Sequence, residues 1–381
     1  MRKCKLSECV KEINDRTTEN NQYEVLTSSK NGIFSQEEYF DKQVASKDNT
    51  GYKIIKNGQF TYRSMSDSGT FTINRLEDKE IGIVSPAYPV FEATNIDAEF
   101  LKYYFKSELF SKAIINLSQG STRTSLKFKD LINIEIYLPE IEEQRRIVKI
   151  LKNNDQVIEK YDELIREKEQ FIKSQFVEMF GNVNCEKVEL KSIAEVKGRV
   201  GWKGYTKSDL RSFGPLVLGA THLTDDGLIN LSEPVFLSRE KYEESPEIMV
   251  EKNDVIFAQR GSLGKIGLAK DDIGEATINP CVLILRPNNI NPNFFRFLLI
   301  MEYENGNLAR LNSGSTIPMI SQKTIGDYRI ILPEMSLQNE FEKIVQLIDK
   351  QKFNYINKIN ELKEIINIFL GGKKIWMKKY Q

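Results

Sequence analysis

Histidine is almost missing from this chain: His222 is the only one in 381 residues. That excludes zinc sites of the HExxH kind, which need two histidines on one helical face, and leaves any histidine-based triad to one residue in the turn-rich stretch GATHLTDDG. A polar loop role suits His222 better. Cysteine is sparse as well. Cys4, Cys9, Cys185 and Cys281 form no CxxC pair and read as structural thiols of a reducing compartment. No apolar run approaches the roughly 20 residues that span a bilayer. The opening MRKCKLSECVKEINDR has no hydrophobic segment of the signal-peptide kind, so a cytoplasmic protein without membrane contact is expected. Excess charge is lacking too, because 54 Lys and Arg face 54 Asp and Glu. That balance disfavours a nucleic-acid binder relying on its own basic surplus and fits a subunit whose partners supply part of the phosphate-neutralising surface.

What the chain does contain is a repeat. The stretch 140–180, EIEEQRRIVKILKNNDQVIEKYDELIREKEQFIKSQFVEMF, returns in altered form from Glu334. In the second copy Phe341, Val345, Ile348, Lys352, Tyr355, Ile359, Leu362, Ile366 and Phe369 step alternately by four and three, the spacing of a coiled-coil seam, with one lysine interrupting it. A constant offset of 194 lands on Ile147, Leu151, Asn154, Ile158, Tyr161, Ile165, Lys168, Ile172 and Gln175, the same seam with three polar breaks. A helix of about 40 residues is on the order of 60 Å long, so its apolar stripe overhangs a domain of ordinary size. The other helix is the expected cover.

The same offset pairs Pro86 with Pro280, Phe100 with Phe294, and Gly120, Ser121 and Thr122 with Gly314, Ser315 and Thr316. It also pairs Leu138, Pro139, Glu140 and Gln144 with Leu332, Pro333, Glu334 and Gln338. The expected architecture is α+β: two mixed α/β blocks, 1–139 and 182–333, alternate with two long helices, 140–181 and 334–372, before a short basic tail, 373–381. The first block is expected to open helically and continue as short strands punctuated by Gly and Asn, followed by the helical stretch AEFLKYYFKSELFSKAIINL. With the order block, helix, block, helix, a pseudo-twofold arrangement runs the two helices antiparallel.

Catalytic motifs fail one by one. Ser85-Pro86-Ala87-Tyr88 and Asn279-Pro280-Cys281-Val282 lack the second proline of an amino-methyltransferase loop, and their equivalent places in the repeats suit a structural turn. GSLGKIG at 261–267 has the wrong spacing for a phosphate loop and Ile266 where a magnesium-binding hydroxyl belongs. Glu195-Val196-Lys197 could end a nuclease site, but no Pro-Asp dipeptide begins one.

Binding chemistry is better represented. Lys197, Arg199, Lys203, Lys207 and Arg211 surround Trp202 and Tyr205 in VKGRVGWKGYTKSDLR, a basic and aromatic mix able to follow a phosphate backbone. Gln259, Arg260, Ser262 and Lys265 form a polar loop of the kind that hydrogen-bonds base edges in a major groove. Arg63, Ser64 and Arg75 are taken as their first-block counterparts. Ser121, Thr122 and Arg123, with Ser315 and Thr316, sit at the repeated Gly-Ser-Thr turn and could hold phosphates through hydroxyls and backbone amides.

Laid out in this way, the chain resembles the specificity subunit of type I restriction-modification systems. The resemblance spans nearly the whole sequence. It rests on GSTRTSLKFKDLINIEIYLPEIEEQ and GSTIPMISQKTIGDYRIILPEMSLQ, each followed by a long helix, and on RGSLGKIG in the second block. It implies two target-recognition domains that read the parts of a bipartite, asymmetric double-stranded DNA site, set apart by two antiparallel spacer helices. It further implies docking with two modification (methyltransferase) subunits that use S-adenosylmethionine to methylate adenine, and with motor-nuclease restriction subunits that use ATP and Mg. This chain would then be non-catalytic and hold no cofactor of its own. There are two departures. The second helix has Phe341 and Glu342 where the first carries the arginines of EEQRRI, and the first block has no RGSLGK-type loop. The competing readings are a standalone sequence-specific DNA-binding regulator without methyltransferase partners, and a nuclease or methyltransferase with an unrecognised site.

Overall fold

The computed structural model describes residues 2–39, 47–66, 69–117, 124–183, 185–199, 204–270, 273–312 and 318–370. The chain divides into two compact units, Met1–Asp162 with Ile356–Gln381, and Glu163–Tyr355. Each contains one α+β block and a part of each long helix.

In the first unit a four-stranded antiparallel sheet runs in the order Val10–Ile13, Val90–Ala93, Phe60–Thr61, Asn74–Arg75. A separate ladder pairs Arg2–Lys5 with Glu135–Leu138. The opening of the chain is therefore strand, 3-10 turn (Leu6–Glu8) and strand, and the helix expected there is not formed. Cys4 and Leu6 are buried two apart, at strand spacing, and pairing with the distant segment overrides local helical preference. The expected helical stretch is two helices, Ala98–Lys106 and Glu108–Leu117, because Ser107 between them is extended (φ −78°, ψ 154°). Phe60, Phe91, Phe105 and Phe110 meet ring to ring in the core.

The second unit repeats this plan. Its four-stranded sheet has the equivalent order Ala194–Gly198, Val282–Pro287, Val255–Ala258, Ile266–Leu268, and its ladder pairs Lys187–Glu189 with Arg329–Ile331. The helix Pro292–Glu304 takes the place of Ala98–Lys106; Asn291 caps it as Asp97 caps the other, each side chain accepting two backbone N–H bonds. The units diverge in what is added. The first carries a hairpin, Leu26–Ser29 with Gly32–Ser35, whereas the second carries a three-stranded sheet centred on Leu210–Leu218.

The long helices are Ile141–Phe180 and Met335–Leu370. Their starts are fixed by the glutamine of the repeated Leu-Pro-Glu-x-x-x-Gln passage. Gln144 Nε2 donates to the Pro139 carbonyl at 2.8 Å, and Gln144 Oε1 accepts the Asp97 N–H at 2.8 Å. Gln338 does the same with the Pro333 carbonyl and the Asn291 N–H, both at 2.8 Å. Both side chains are buried.

Within each unit the helices meet with opposite polarity. In the second unit Phe176 and Phe180 contact Phe341, while Glu169, earlier on the first helix, meets Lys352, later on the other. In the first unit Ile147 and Leu151 share a core with Ile366, Phe369 and Leu370. Every assigned seam residue is buried or half-buried: Ile147, Leu151, Ile172, Phe341, Val345, Ile348, Ile359 and Phe369 fully, and Ile158, Tyr161, Ile165, Tyr355, Leu362 and Ile366 in part. Cover comes from two sides, since Ile172, Val345 and Ile348 also join the core of their block with Phe294 and Phe297. Phe176 and Phe180 lie outside the assigned seam and are buried more deeply than its Gln175.

Candidate functional site

The repeat places the candidate loops at corresponding points of the two sheets and corrects their alignment. The Ser64 carbonyl accepts the Leu126 N–H at 3.0 Å, and the Gln259 carbonyl accepts the Ile320 N–H at 2.9 Å. Met65 pairs with Ser125 as Arg260 pairs with Met319. The first-unit counterparts of Gln259 and Arg260 are thus Ser64 and Met65, and Arg63 corresponds to Ala258.

In the second unit Arg260 and Ser262 are exposed and Lys265 is half-buried. Gln259 Nε2 donates to the Pro280 carbonyl at 2.9 Å, and Arg260 Nη2 lies 3.4 Å from Met319 Sδ. The loop borders a cleft of about 540 Å³ that includes Thr224, Asp225 and Tyr303. Lys265 Nζ lies 3.2 Å from Asp225 Oδ1. Two glycines in left-handed conformations, Gly261 (φ +76°) and Gly264 (φ +77°), shape the turn. A Cβ on Gly264 would sit 1.8 Å from Tyr303 Cδ2, so the chain passes against that ring where no side chain fits.

Arg199 and Arg75 are corrections. Arg199 is buried: Nε donates to the Ile278 carbonyl at 2.9 Å, Nη2 donates to Thr277 Oγ1 at 3.0 Å, and the guanidinium lies over the Tyr205 ring. Burial pushes its pKa below the ordinary arginine value, with Tyr205, Glu244 and Glu247 acting the other way. Tyr205 is half-buried beside it, its pKa raised by burial. Arg75 pairs with Glu99 and donates from Nε to the Gly58 carbonyl at 3.2 Å. Both arginines are thus engaged by groups of the fold itself. Lys197 pairs with Glu195 at 2.7 Å. Trp202, Lys203, Ser121, Thr122, Arg123, Ser315, Thr316 and the basic tail lie outside the described residues.

In the first unit Arg63 is exposed on a groove of about 660 Å³, and Ser64 Oγ donates to the Ala87 carbonyl at 2.9 Å. The same groove takes Lys30 and Asn31 from the hairpin turn, Gln36 from the short helix that follows it, and Tyr88 from the turn before the strand Val90–Ala93. Sequence reasoning passed over these four. The signal was Lys30-Asn31-Gly32, a turn tripeptide between two short strands, with Gly32 at φ +135°.

Residues considered for catalysis have structural uses. His222 is buried; its Nδ1 accepts the Gly219 N–H at 3.0 Å, and Nε2 lies 3.3 Å from the Glu233 carbonyl. Pro86 and Pro280 sit in matching turns, in which Ser85 Oγ accepts the Ala87 N–H and Asn279 Oδ1 the Cys281 N–H. Among the described residues, no group of His, Cys, Asp and Glu is placed to hold a metal ion, and no helix is long and apolar enough to cross a membrane. Glu342, which the offset of 194 sets at Val148, the arginines of EEQRRI falling instead at Asn339 and Glu340, accepts hydrogen bonds from Asn291 Nδ2 and Asn293 Nδ2 at 2.7 and 2.9 Å. Lys352, the lysine of the seam, is buried between Glu169 and Asp226 at 2.7 and 2.8 Å.

Comparison with known proteins gives concordant results. The pattern of the type I restriction modification DNA specificity domain matches residues 4–169 and 182–365. The type I restriction enzyme MjaVIII specificity subunit of Methanocaldococcus jannaschii is 25% identical over 318 residues, 77% of this chain and 74% of that protein. The MjaIX specificity subunit of the same organism is 20% identical over 292 residues, 72% of this chain and 67% of its own. A chain from a solved structure concerned with complex assembly and conformational transition of the type I R-M system shares the fold with a TM-score of 0.57 at 18% identity, covering 97% of this chain and 96% of that one.

Proposed function

The chain belongs to the type I restriction modification DNA specificity domain family, and we propose that its two blocks each read one part of a split DNA site through loops carried on a common scaffold. As a specificity subunit it recognises DNA sequence within a type I restriction-modification complex and directs methylation or restriction without performing either. A regulator working without partners finds no support among these relatives.

The observation that carries the two-reader proposal is the contrast inside the repeat. Sheet order, helix caps and glutamine clasps are the same in both units, while the loops at the exposed ends differ. A scaffold that is kept while its loops change suits two readers of different sequences. In the second unit Arg260, exposed beside Gln259 and Ser262, has the donor fork that matches the acceptors of a guanine edge. Lys265 neighbours it as a phosphate contact. In the first unit Arg63, Lys30, Asn31 and Gln36 supply donors around one groove. Lys197, Lys203, Trp202 and Tyr205, with Ser121, Thr122, Arg123, Ser315 and Thr316, remain candidates for backbone contacts, whereas Arg75 and Arg199 are withdrawn from that role. The paired helices would act as the spacer between the two readers.

The partners proposed are two modification subunits, which would bring S-adenosylmethionine, and motor-nuclease subunits, which would bring ATP and Mg, all in the cytoplasm. This chain itself would carry no cofactor. The test is to co-express the chain with its modification partner and map methylated adenines. A bipartite motif is expected, and Arg260→Ala should relax one half of it, because a bidentate base contact is worth about 1–3 kcal/mol of discrimination. An unchanged motif would remove this loop from the reading surface, and absence of any sequence-specific methylation would refute the proposal as a whole.

A further inference from the structure

The second unit has a basic cleft that none of the reading loops accounts for. It is about 880 Å³ in volume and is lined by Lys187, Arg310, Lys323 and Arg329, all exposed. Among the described residues no carboxylate lies within ion-pair distance of Lys187, Arg310 or Lys323. The one acidic side chain in the cleft, Asp327, bonds Lys191 at 2.5 Å. Arg329 is held in place by donating from Nη2 to the Lys187 carbonyl at 2.6 Å.

The repeat shows which of these cations are additions: Lys187 and Lys323 meet Lys3 and Lys129 in the first unit, whereas Arg310 and Arg329 meet Asn116 and Glu135. Strand pairing sets Glu189 opposite Arg329 as it sets Lys5 opposite Glu135, so Glu135 stands where Arg329 does and Lys3 where Lys187 does. In the first unit Lys3 and Glu135 form an ion pair at 2.6 Å. In the second, the acid has become an arginine and the lysine across from it a glutamate, Glu189, which lies 3.0 Å from Lys191, so Lys187 and Arg329 are neighbours while the carboxylate across from Arg329 is shared with another cation.

The cleft also lies next to the reading loop. Along the 3-10 turn Ala309–Leu311, Ala309 and the following Asn312 line the cleft of Ser262 and Lys265, while Arg310 and Leu311 line the basic one. The two clefts thus share this turn, with Lys265 lining one and Arg310, Lys323, Lys187 and Arg329 lining the other.

We propose that this cleft binds the phosphate backbone of the DNA flanking the bases read by the loop at 259–265, an anchor that the first unit lacks. It rests on the DNA-recognition reading given above. The site positions DNA without reading sequence, because Lys187 and Lys323 are point charges suited to phosphates and the fork of Arg329 is already bonded to the Lys187 carbonyl.

The test is the salt dependence of binding by the full chain in complex with its modification partner, on one fluorescent duplex carrying the mapped site and one without it. The variant is Lys187→Gln/Arg310→Gln/Lys323→Gln, which leaves the strand-bonded Arg329 in place. Withdrawing one cation from a phosphate lowers the slope of log affinity against log salt by about 0.9. A fall of roughly 2–3 units on both duplexes is expected, with the methylation motif unchanged. Lys3→Gln/Lys129→Gln at the matching place in the first unit should leave the slope as it was. If the triple variant does not fold, Lys323→Glu at its exposed position reads the same quantity. An unchanged slope overturns the proposal, as does a variant that binds DNA normally but no longer holds the partner subunit, which would assign the cleft to an acidic protein surface. If the wild-type complex shows no preference for the mapped site, it is the DNA-recognition reading that fails, and this proposal falls with it.

Discussion

Replacing Lys352 with methionine removes one cation from a buried charged group in the second unit. Its Nζ lies 2.7 Å from Glu169 Oε1 and 2.8 Å from Asp226 Oδ2, and its side chain is 7% exposed. Arg296, 1% exposed with Nη2 3.9 Å from Asp349, would then stay beside that cluster of carboxylates with Lys270, 3.6 Å from Asp349, and Lys173, which pairs with Glu304. Removing one partner of a buried pair costs about 3–5 kcal/mol, because the other charge stays desolvated. Glu169 is 35% exposed and can rehydrate, which places the expected loss near the lower end, about 3 kcal/mol. The pH dependence has a definite sign. Burial pushes the Asp226 carboxyl up, but hydrogen bonds from Lys352 and Thr224 outweigh it and the net pKa is lowered. That contribution is present above the ordinary aspartate value of about 4 and is lost as pH falls through the lower folded value. Burial pushes Lys352 down, but hydrogen bonds to Asp226 and Glu169 leave it raised, so its contribution holds below the ordinary lysine value of about 10.4 and fades at higher pH. The difference between wild type and Lys352→Met should therefore be largest at neutral pH and shrink as pH falls, beginning above the ordinary aspartate value of about 4, where the desolvated Asp226 of the variant takes up its proton. Calorimetry of the full chain, following the transition of the second unit separately, measures it, since two units need not unfold together. A cycle with Asp226→Asn should give a coupling of at least about 1 kcal/mol. Additive variants, or a Lys352→Met chain as stable as wild type, would refute this account of the seam lysine.

Two further variants test local geometry. Gln338→Ala removes both bonds of a buried clasp and strands the Asn291 N–H and Pro333 carbonyl; at about 1–3 kcal/mol for each unsatisfied group, a loss of roughly 2–4 kcal/mol is expected, with faster amide exchange at Asn291, and unchanged exchange would show that the clasp is not holding the joint. Gly264→Ala should cost at least about 2 kcal/mol, because the Tyr303 contact adds to the penalty of a left-handed backbone, whereas Gly261→Ala, with open space around its Cβ position, should cost about 1 kcal/mol. Equal urea midpoints for the two variants would contradict that difference.

The sequence made the architecture legible wherever information was local or repeated. A fixed offset exposed the duplicated block and helix, and alternate steps of four and three picked out a seam whose apolar members are all at least half-buried. Long-range partners were not legible. Lys352 stood out as a break in the seam, but Glu169 and Asp226, which explain it, are 183 and 126 residues away. The opening strand was read as helix because its ladder partner begins at Glu135. Arg75 and Arg199 looked like surface cations because a sequence does not distinguish an arginine facing water from one whose donors meet a carbonyl; Arg199 is satisfied in part by the Ile278 main chain. The cations of the basic cleft escaped notice for the same reason, since Lys187 and Arg329 become neighbours only through strand pairing across 142 residues.

The glutamine clasps bear on how such a chain can change. Gln144 and Gln338 each grip only main-chain atoms, one carbonyl and one N–H apiece. The glutamine's part of the joint is indifferent to the side chains of the block it fastens, and the second helix adds grips on side chains, from Asn339 and Glu342 to Asn291 and Asn293. Blocks carrying unrelated loops can be mounted on the same helix as long as their polypeptide enters along the same path, so the reading surface is free to diversify without the junction having to be reinvented.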